Sequence, residues 1–365
     1  MNLRLEKLRE LLVQENLDAV LISAIPNITY LTNFSGFFIE DRDAYLLITK
    51  TKQYIFTHGI YKEAVQQQIK HFELISIQRE NPINVALEKL IKNEKIKKLG
   101  FESFDLKVNE YNNLIKQIDK QLLMPIDLVG KLRIIKTTQE INAIRNACKI
   151  GDQAFAFILD KLKPNVTEKQ IAVELEFFIK RQGADISFSP IVAFGVNASQ
   201  PHHVVTNAKL KQNTLVLLDF GVKLDNYCSD MTRTVFFGEG SMTQKKVYQT
   251  VLDAQQKAAE FIKEKIAKKD AVNAKDVDMI AREYIINNGF STIPHSLGHG
   301  IGLEVHEAPH LTTVSNDILK HGMVFSIEPG IYLPGEFGVR IEDLFAIEKN
   351  KLVQLTNAPK TLIEI

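Results

Sequence analysis

The chain is poor in cysteine, has no excess of either charge and contains no long apolar run. Its two cysteines, Cys148 and Cys228, stand far apart and outside any CxxC pattern. That excludes a disulfide framework and fits a reducing compartment, so the cytoplasm is the expected location. Lys plus Arg number 45 against 44 for Asp plus Glu, so no overall field favours nucleic acid or an anionic membrane surface as partner. No stretch approaches the roughly 18 consecutive apolar residues that a membrane span requires. The opening Met1-Asn2-Leu3-Arg4-Leu5-Glu6-Lys7-Leu8 alternates charge with leucine and does not read as a signal peptide. Low complexity is also missing: hydrophobic residues make up 45% and charged residues 24%, which is ordinary globular composition.

At 365 residues the chain exceeds what one hydrophobic core usually serves, so two domains are expected. In the first, the leucine spacing from Leu3 to Gln14 predicts an amphipathic helix, and short apolar runs at 18–23, 44–49, 53–57, 73–77 and 98–102 predict strands. Helical patterns around 60–69, 82–93 and 105–118 alternate with the later strands, which predicts a small α/β domain with a mixed sheet. The strand pattern stops near Met124-Pro125, and the expected domains are 1–128 and 129–365. The second opens on helices near 137–160 and 167–182, where Thr167 and Gln170 form a capping-box pair and Gly183 stands beyond the end. Strands at 189–194, 214–221, 230–238, 323–332 and 339–347, with helices at 243–265 and 275–288, make it α+β with antiparallel hairpins.

Within that second half, acidic residues interrupt apolar strand-forming segments. Leu215-Val216-Leu217-Leu218 runs straight into Asp219, and Asp230, Glu328 and Glu342 repeat the conflict. Burying a lone carboxylate costs several kcal/mol unless a counter-charge compensates, and a metal ion is the strongest available. Asp219 and Asp230 are 11 residues apart with Gly221, Asp225 and Asn226 between them, and Glu328 and Glu342 are 14 apart with several glycines and prolines between. Each pair is expected on one hairpin. Four carboxylates exceed what one divalent ion requires, whereas two ions with bridging carboxylates use them well. Nitrogen donors come from Pro294-His295-Ser-Leu-Gly298-His299-Gly300-Ile-Gly302-Leu-Glu-Val-His306, read as a glycine-rich loop. A carboxylate-rich set with one imidazole suits Mn²⁺ or Co²⁺, and Zn²⁺ also accepts it.

Five motifs in order resemble the pita-bread metallopeptidases, in their Xaa-Pro aminopeptidase (aminopeptidase P) and prolidase branch. They are Asp219-Phe-Gly221, Ser229-Asp230-Met-Thr-Arg-Thr234, His299-Gly-Ile-Gly-Leu-Glu-Val-His306-Glu307, Ile327-Glu328-Pro-Gly-Ile-Tyr332 and Gly338-Val-Arg-Ile-Glu342-Asp343. Residues 1–128, including Asn27-Ile-Thr-Tyr-Leu-Thr-Asn-Phe-Ser-Gly36, resemble the creatinase-like N-terminal domain of that branch. The resemblance implies two divalent ions, Mn²⁺ first and Co²⁺ or Zn²⁺ as alternatives. They would be held by Asp219, Asp230, His299, Glu328 and Glu342, with Asp230 and Glu342 bridging. It assigns His202, His295 and His306 to the substrate and transition state, and gives Arg340 the task of holding a ligand carboxylate. A hydroxide bridging the ions would attack the scissile carbonyl, with Glu328 passing a proton to the leaving proline nitrogen. The expected function is an Xaa-Pro aminopeptidase acting on proline-containing peptides, to which 27–43 and 57–61 incline the reading, and the expected assembly is a homodimer. The alternative is an Xaa-Pro dipeptidase, and a remoter one a non-catalytic pita-bread binding protein.

Three other features carry less. His306-Glu307-Ala308-Pro309-His310 formally matches HExxH, but Pro309 disfavours the continuous helix that zinc signature needs. Cys228 reads as a small packed residue. His58, His71 and His321 read as surface or turn residues, and the lysine-rich stretches as solvated helix faces.

Overall fold

The protein is described here by a computed structural model covering residues 3–38 and 41–365. Met1, Asn2, Ile39 and Glu40, the last two within 27–43, lie outside the described residues. The fold divides into two compact units, Met1–Arg133 and Ile134–Ile365. The division falls after Arg133, where the sequence reading puts it after residue 128.

In the first unit, α1 (Leu3–Gln14) buries Leu5, Leu8 and Leu12, one stripe of an amphipathic helix. It leads into β1 (Ala19–Ile22), α2 (Ile25–Thr32), β2 (Ala44–Thr49) and β3 (Gln53–His58). The chain continues through α3 (Lys62–Gln68), β4 (Glu73–Ile77), α4 (Ile83–Asn93), β5 (Leu99–Phe101), α5 (Val108–Leu114), β6 (Leu123–Pro125) and α6 (Leu128–Arg133). The strands form one mixed sheet in the order β4-β3-β2-β1-β5-β6. Only β1–β2 and β2–β3 are antiparallel; the crossovers through α3, α4 and α5 make the other pairs parallel. Three elements of this unit, α2, β6 and α6, were not foreseen. Helix α2 hides in a segment rich in β-branched residues, and it forms because Pro26 sits in its first turn, where a missing N–H costs nothing. Strand β6 is an edge strand ending on Pro125, where the strand pattern of the sequence stops.

The second unit opens on α7 (Thr138–Leu159) and α8 (Glu168–Arg181), each started by a capping box, from Thr137 with Glu140 and from Thr167 with Gln170. Gly183, at φ +77°, follows the end of α8. Next come β7 (Asp185–Ile186), β8 (Ile191–Phe194), β9 (Thr214–Phe220), β10 (Val222–Leu224), β11 (Tyr227–Cys228) and β12 (Met231–Phe237). Helix α9 (Met242–Lys268), β13 (Val272–Asn273) and α10 (Ala274–Asn287) follow. The remainder is β14 (Gly298–Gly300), β15 (Glu307–Leu311), β16 (Ile318–Leu319), β17 (Val324–Ile327), β18 (Gly330–Leu333), β19 (Phe337–Arg340), β20 (Asp343–Glu348) and β21 (Lys351–Gln354). Every pairing between these strands is antiparallel, the main ladders being β12-β9-β8 and β15-β14-β17-β20-β21.

Strand β9 explains why its sequence is an unbroken apolar run. Leu215 and Leu217 face a core shared with α9 and α10, while Val216 and Leu218 face one shared with α7 and α8. Both faces are covered by helices, so no position on the strand is left for a solvated residue. Asp219 therefore arrives at a buried position.

Candidate metal centre

Strand β9 runs through Asp219, but the strands expected to run through Asp230, Glu328 and Glu342 do not. The segment 323–332 breaks at Glu328-Pro329 into β17 and β18, and 339–347 breaks at Ile341-Glu342 into β19 and β20. Asp230 likewise falls in the gap between β11 and β12. Each carboxylate pair sits where a long antiparallel pair, β9–β12 or β17–β20, gives way to a small subsidiary hairpin. In the first of these, Asp225 and Asn226 turn the chain at positive φ, 49° and 72°. The register places Asp219 opposite Thr232 and Ile327 opposite Asp343, so the ladders end beside the acidic groups.

The two halves meet through Thr232. Its hydroxyl donates to Glu342 Oε2 at 2.8 Å and accepts from Arg340 Nε at 3.0 Å, while its carbonyl accepts the Glu342 amide at 3.1 Å. Arg340 reaches on to Asp219 Oδ2 at 2.5 Å and to the Tyr332 hydroxyl at 2.6 Å. The guanidinium, itself buried, thus pairs with Asp219. Thr232 and Tyr332 were missed as site residues, although both stand inside quoted motifs; only the fold shows that the Thr232 hydroxyl reaches a carboxylate and the Tyr332 hydroxyl reaches Arg340 and His295.

His299 lies on β14, not in a loop. The glycines around it serve strand contact: a Cβ at Gly298 would fall 2.0 Å from the Ser326 carbonyl oxygen, and one at Gly300 would fall 2.1 Å from that of Ala308. Nδ1 of His299 faces the Gly300 carbonyl at 3.1 Å, which accepts only, so Nδ1 carries a proton and Nε2 is the nitrogen turned toward the acids. Nε2 lies 3.2 Å from Glu328 Oε1 and 3.7 Å from Asp230 Oδ2.

Asp219, Asp230, His299 and Glu342 are each less than a tenth exposed. Asp230, His299 and Glu342 bring one ligand atom each within 4.8 Å of one another. Among the described residues, Asp219 Oδ1, Asp230 Oδ1 and Glu342 Oε1 are buried with no hydrogen-bond partner. Burial, with the charges of neighbouring carboxylates, pushes Asp230 and Glu342 well above the ordinary carboxyl range and raises Asp219 as well. Burial also acts to raise Glu328, but its hydrogen bond and charge contact with His299 outweigh this and hold it at about 2. Burial lowers His299, and the same contact with Glu328 overrides it, bringing the imidazole to about 9. Such a group repels itself unless cations lie between the oxygens, so the residues present fit a divalent metal site.

These residues line a cavity of about 370 Å³ together with His202, His295, His306, His310, Arg340, Phe188, Ile191 and Val305. His306 sits over His299, ring centroids 4.4 Å apart. His295 donates from Nδ1 to the Ser296 carbonyl at 2.8 Å and turns Nε2 toward the Tyr332 hydroxyl at 3.0 Å. Burial lowers its pKa, which keeps the ring neutral with Nε2 as acceptor. His203 turns away from the cavity, 2.9 Å from Glu168 Oε2. Residues 307–310 of the HExxH stretch lie on strand β15, just after His306, so its two histidines do not form a helical zinc pair; His310 instead faces His299 across the β14–β15 ladder. Cys228 is packed, and His58, His71 and His321 are exposed.

Residues 142–349 match the model of metallopeptidase family M24, and residues 4–135 match the creatinase/prolidase N-terminal domain. The chain belongs to metallopeptidase family M24. It is a hydrolase with a creatinase-type N-terminal domain followed by a pita-bread domain. It is 34% identical over 366 residues to the Xaa-Pro dipeptidase of Pyrococcus horikoshii, covering 100% of this chain and 99% of that one. Among solved structures, it resembles an Xaa-Pro dipeptidase from Bacillus anthracis with TM-score 0.91 and 36% identity, over 99% of each chain. An X-Pro aminopeptidase from Thermotoga maritima gives TM-score 0.84 and 31% identity, over 96% of this chain and 98% of that one. No helix of the described residues is long and apolar enough to cross a membrane.

Proposed function

We propose that this M24 peptidase hydrolyses the bond between an N-terminal residue and proline at a centre of two divalent ions, with Xaa-Pro dipeptides as its preferred substrates. The observation that carries the centre is the set of three buried carboxylate oxygens without a partner beside a histidine whose Nε2 is turned toward the acids. Asp219, Asp230, His299, Glu328 and Glu342 would hold the ions, Asp230 and Glu342 between them, and the oxygen-rich set favours Mn²⁺ over Co²⁺ or Zn²⁺. Bound there, the ions supply Lewis acidity that makes hydroxide available at neutral pH and polarises the scissile carbonyl.

The protein's own groups do the rest. His306 and His202 stand exposed at the cavity, placed to donate to the carbonyl oxygen as charge develops on it. Burial and the neighbouring His299 lower the pKa of His306, so it acts as a neutral N–H donor. Glu328 is fixed through Oε1 by Ser326 Oγ at 3.1 Å and by His299; as a carboxylate it takes the proton released by the attacking water and passes it to the leaving proline nitrogen. Arg340 and Tyr332 keep Asp219 and His295 in register with that exchange.

The sequence inclined toward the aminopeptidase, but the named relatives at 34% and 36% identity are dipeptidases, and this supports the narrower substrate. A cytoplasmic homodimer belongs to the same proposal; the scarcity of cysteine, with Cys148 and Cys228 both buried, supports the compartment. Chelator-stripped protein given Mn²⁺ and a pair of substrates, an Xaa-Pro dipeptide and an Xaa-Pro-Yaa tripeptide, tests the reading. Restored cleavage of the dipeptide alone is expected. Cleavage of the tripeptide would make it an aminopeptidase, and no cleavage under any divalent ion would leave the binding-protein reading.

A further inference from the structure

His295, like His202, lies outside regular structure. It lies in 288–297, a span that is neither helix nor strand and joins α10 to β14. Asp219 and His299 lie on strands, and Asp230, Glu328, Glu342 and His306 each flank one, so a ladder of backbone hydrogen bonds fixes them. A non-periodic span has no such ladder, and its position must come from side chains.

Two residues of α10, outside the cavity, supply it. Asp278 and Arg282 stand one helical turn apart and form a bidentate pair, Nε to Oδ2 at 2.6 Å and Nη2 to Oδ1 at 3.0 Å. The outer edge of the same guanidinium donates to the carbonyls of Ile293 and His295, and Nη1 lies 3.3 Å from Thr292 Oγ1. Asp278, with no exposed surface, also accepts the Leu297 amide at 3.0 Å, while the Leu297 carbonyl accepts the Glu328 amide at 2.8 Å. Leu297 is thereby anchored from both sides without Arg282. The stretch 292–296 depends on the arginine alone among these contacts, and Arg282 grips the carbonyl of the histidine itself. A planar fork locked at its root by a carboxylate holds two carbonyls at fixed spacing, which a flexible ammonium cannot do.

We infer that the Asp278–Arg282 pair is a positioning device for His295, setting where its ring meets Tyr332 and the substrate. This rests on the assignment of His295 to the substrate site. Arg282→Gln is expected to lower kcat/KM by about 10²-fold, the effect of an ångström-scale misplacement, with Arg282→Lys in between. The decisive comparison is a double-mutant cycle with His295→Ala. If Arg282 acts through His295, Arg282→Gln adds less than about threefold in the His295→Ala background. An equal loss in both backgrounds would make Arg282 a fold-stabilising residue only and overturn the inference. A second measurement does not need activity: in the metal-free chain, Arg282→Gln should shift the His295 ring resonances and leave those of His202 in place. Unmoved His295 resonances would refute the positioning role even if no Xaa-Pro substrate were cleaved, whereas inactive wild-type protein with shifted resonances would refute the peptidase reading alone.

Discussion

Glu102 in the first unit and the carboxylates of the second are about equally buried, yet they have different surroundings. Glu102 is 1% exposed and fully matched: Oε2 accepts the amides of Ser23 and Ala24, both at 2.7 Å, and Oε1 accepts Asn27 Nδ2 at 2.6 Å. Glu168, at the start of α8, is matched still more completely by the amides of Phe194 and Thr206 and the side chains of Asn197, His203 and Thr206. Asp219, Asp230 and Glu342 each leave one buried oxygen without a donor. Burial of an acid therefore does not distinguish a structural network from a metal centre. What distinguishes them is whether the protein supplies the donors or leaves oxygens facing one another.

The sharpest way to break this contrast is to neutralise one acid of the centre. Asp230→Asn or Glu342→Gln should lower Mn²⁺-dependent kcat/KM by at least on the order of 10³, about 4 kcal/mol. Stability of the chelator-treated protein should hold or rise, because a repelling charge has been removed. Loss of folding in step with activity, measured by urea unfolding, would show that these acids are structural like Glu168. Metal addition probes the same difference with a comparable effect. Mn²⁺ at a thousandfold excess over its dissociation constant should stabilise the wild-type chain by about 4 kcal/mol, and Asp230→Asn should respond far less.

Much of the centre was legible in the sequence because buried acids conflict with their apolar neighbours, and the conflict shows without a structure. Leu215–Leu218 before Asp219 is one instance, and the structure gives its cause in a strand covered on both faces. The breaks at Glu328-Pro329 and Ile341-Glu342 were not legible, since β-forming residues continue on either side and only the subsidiary hairpin β18–β19 forces the interruption. Nor were the supporting hydroxyls of Thr232 and Tyr332 or the α10 pair Asp278–Arg282. Their sequence neighbourhoods look like ordinary strand and helix, and their partners lie as many as 110 residues away. Glu102 was equally silent: it ended a strand, and nothing nearby announced Ser23, Ala24 and Asn27 as its donors.

Glu102 offers the next test, from the matched side. Its burial outweighs its hydrogen bonds and raises its pKa from 4.5 to about 7. The folded state therefore holds a proton between pH 4.5 and 7 that the unfolded chain has released. That contribution is complete below pH 4.5 and is lost as pH rises through 7. Glu102→Gln cannot titrate, so its stability relative to wild type should shift in its favour by about 3 kcal/mol between pH 4 and pH 8. Urea unfolding of the metal-free chain across that range measures it. A difference that does not move with pH would mean that Glu102 stays ionised and that its three donors outweigh burial, as they do for Glu168.

The smallest expected effect tests whether the unmatched oxygens are held in place by groups that touch no substrate. Thr232 Oγ1 gives its proton to Glu342 Oε2 and takes one from Arg340 Nε, so it couples a carboxylate of one half to the arginine that steadies Asp219 in the other. Thr232→Val keeps the shape and removes both bonds. Losing such support costs about 10- to 100-fold in metal affinity, or about 1.4–2.7 kcal/mol, and titration with Mn²⁺ should show a weakening in that range with the fold intact. An unchanged affinity would mean that the ions themselves align Glu342. The centre would then differ from the Glu102 network in its supporting bonds as well as in its missing donors.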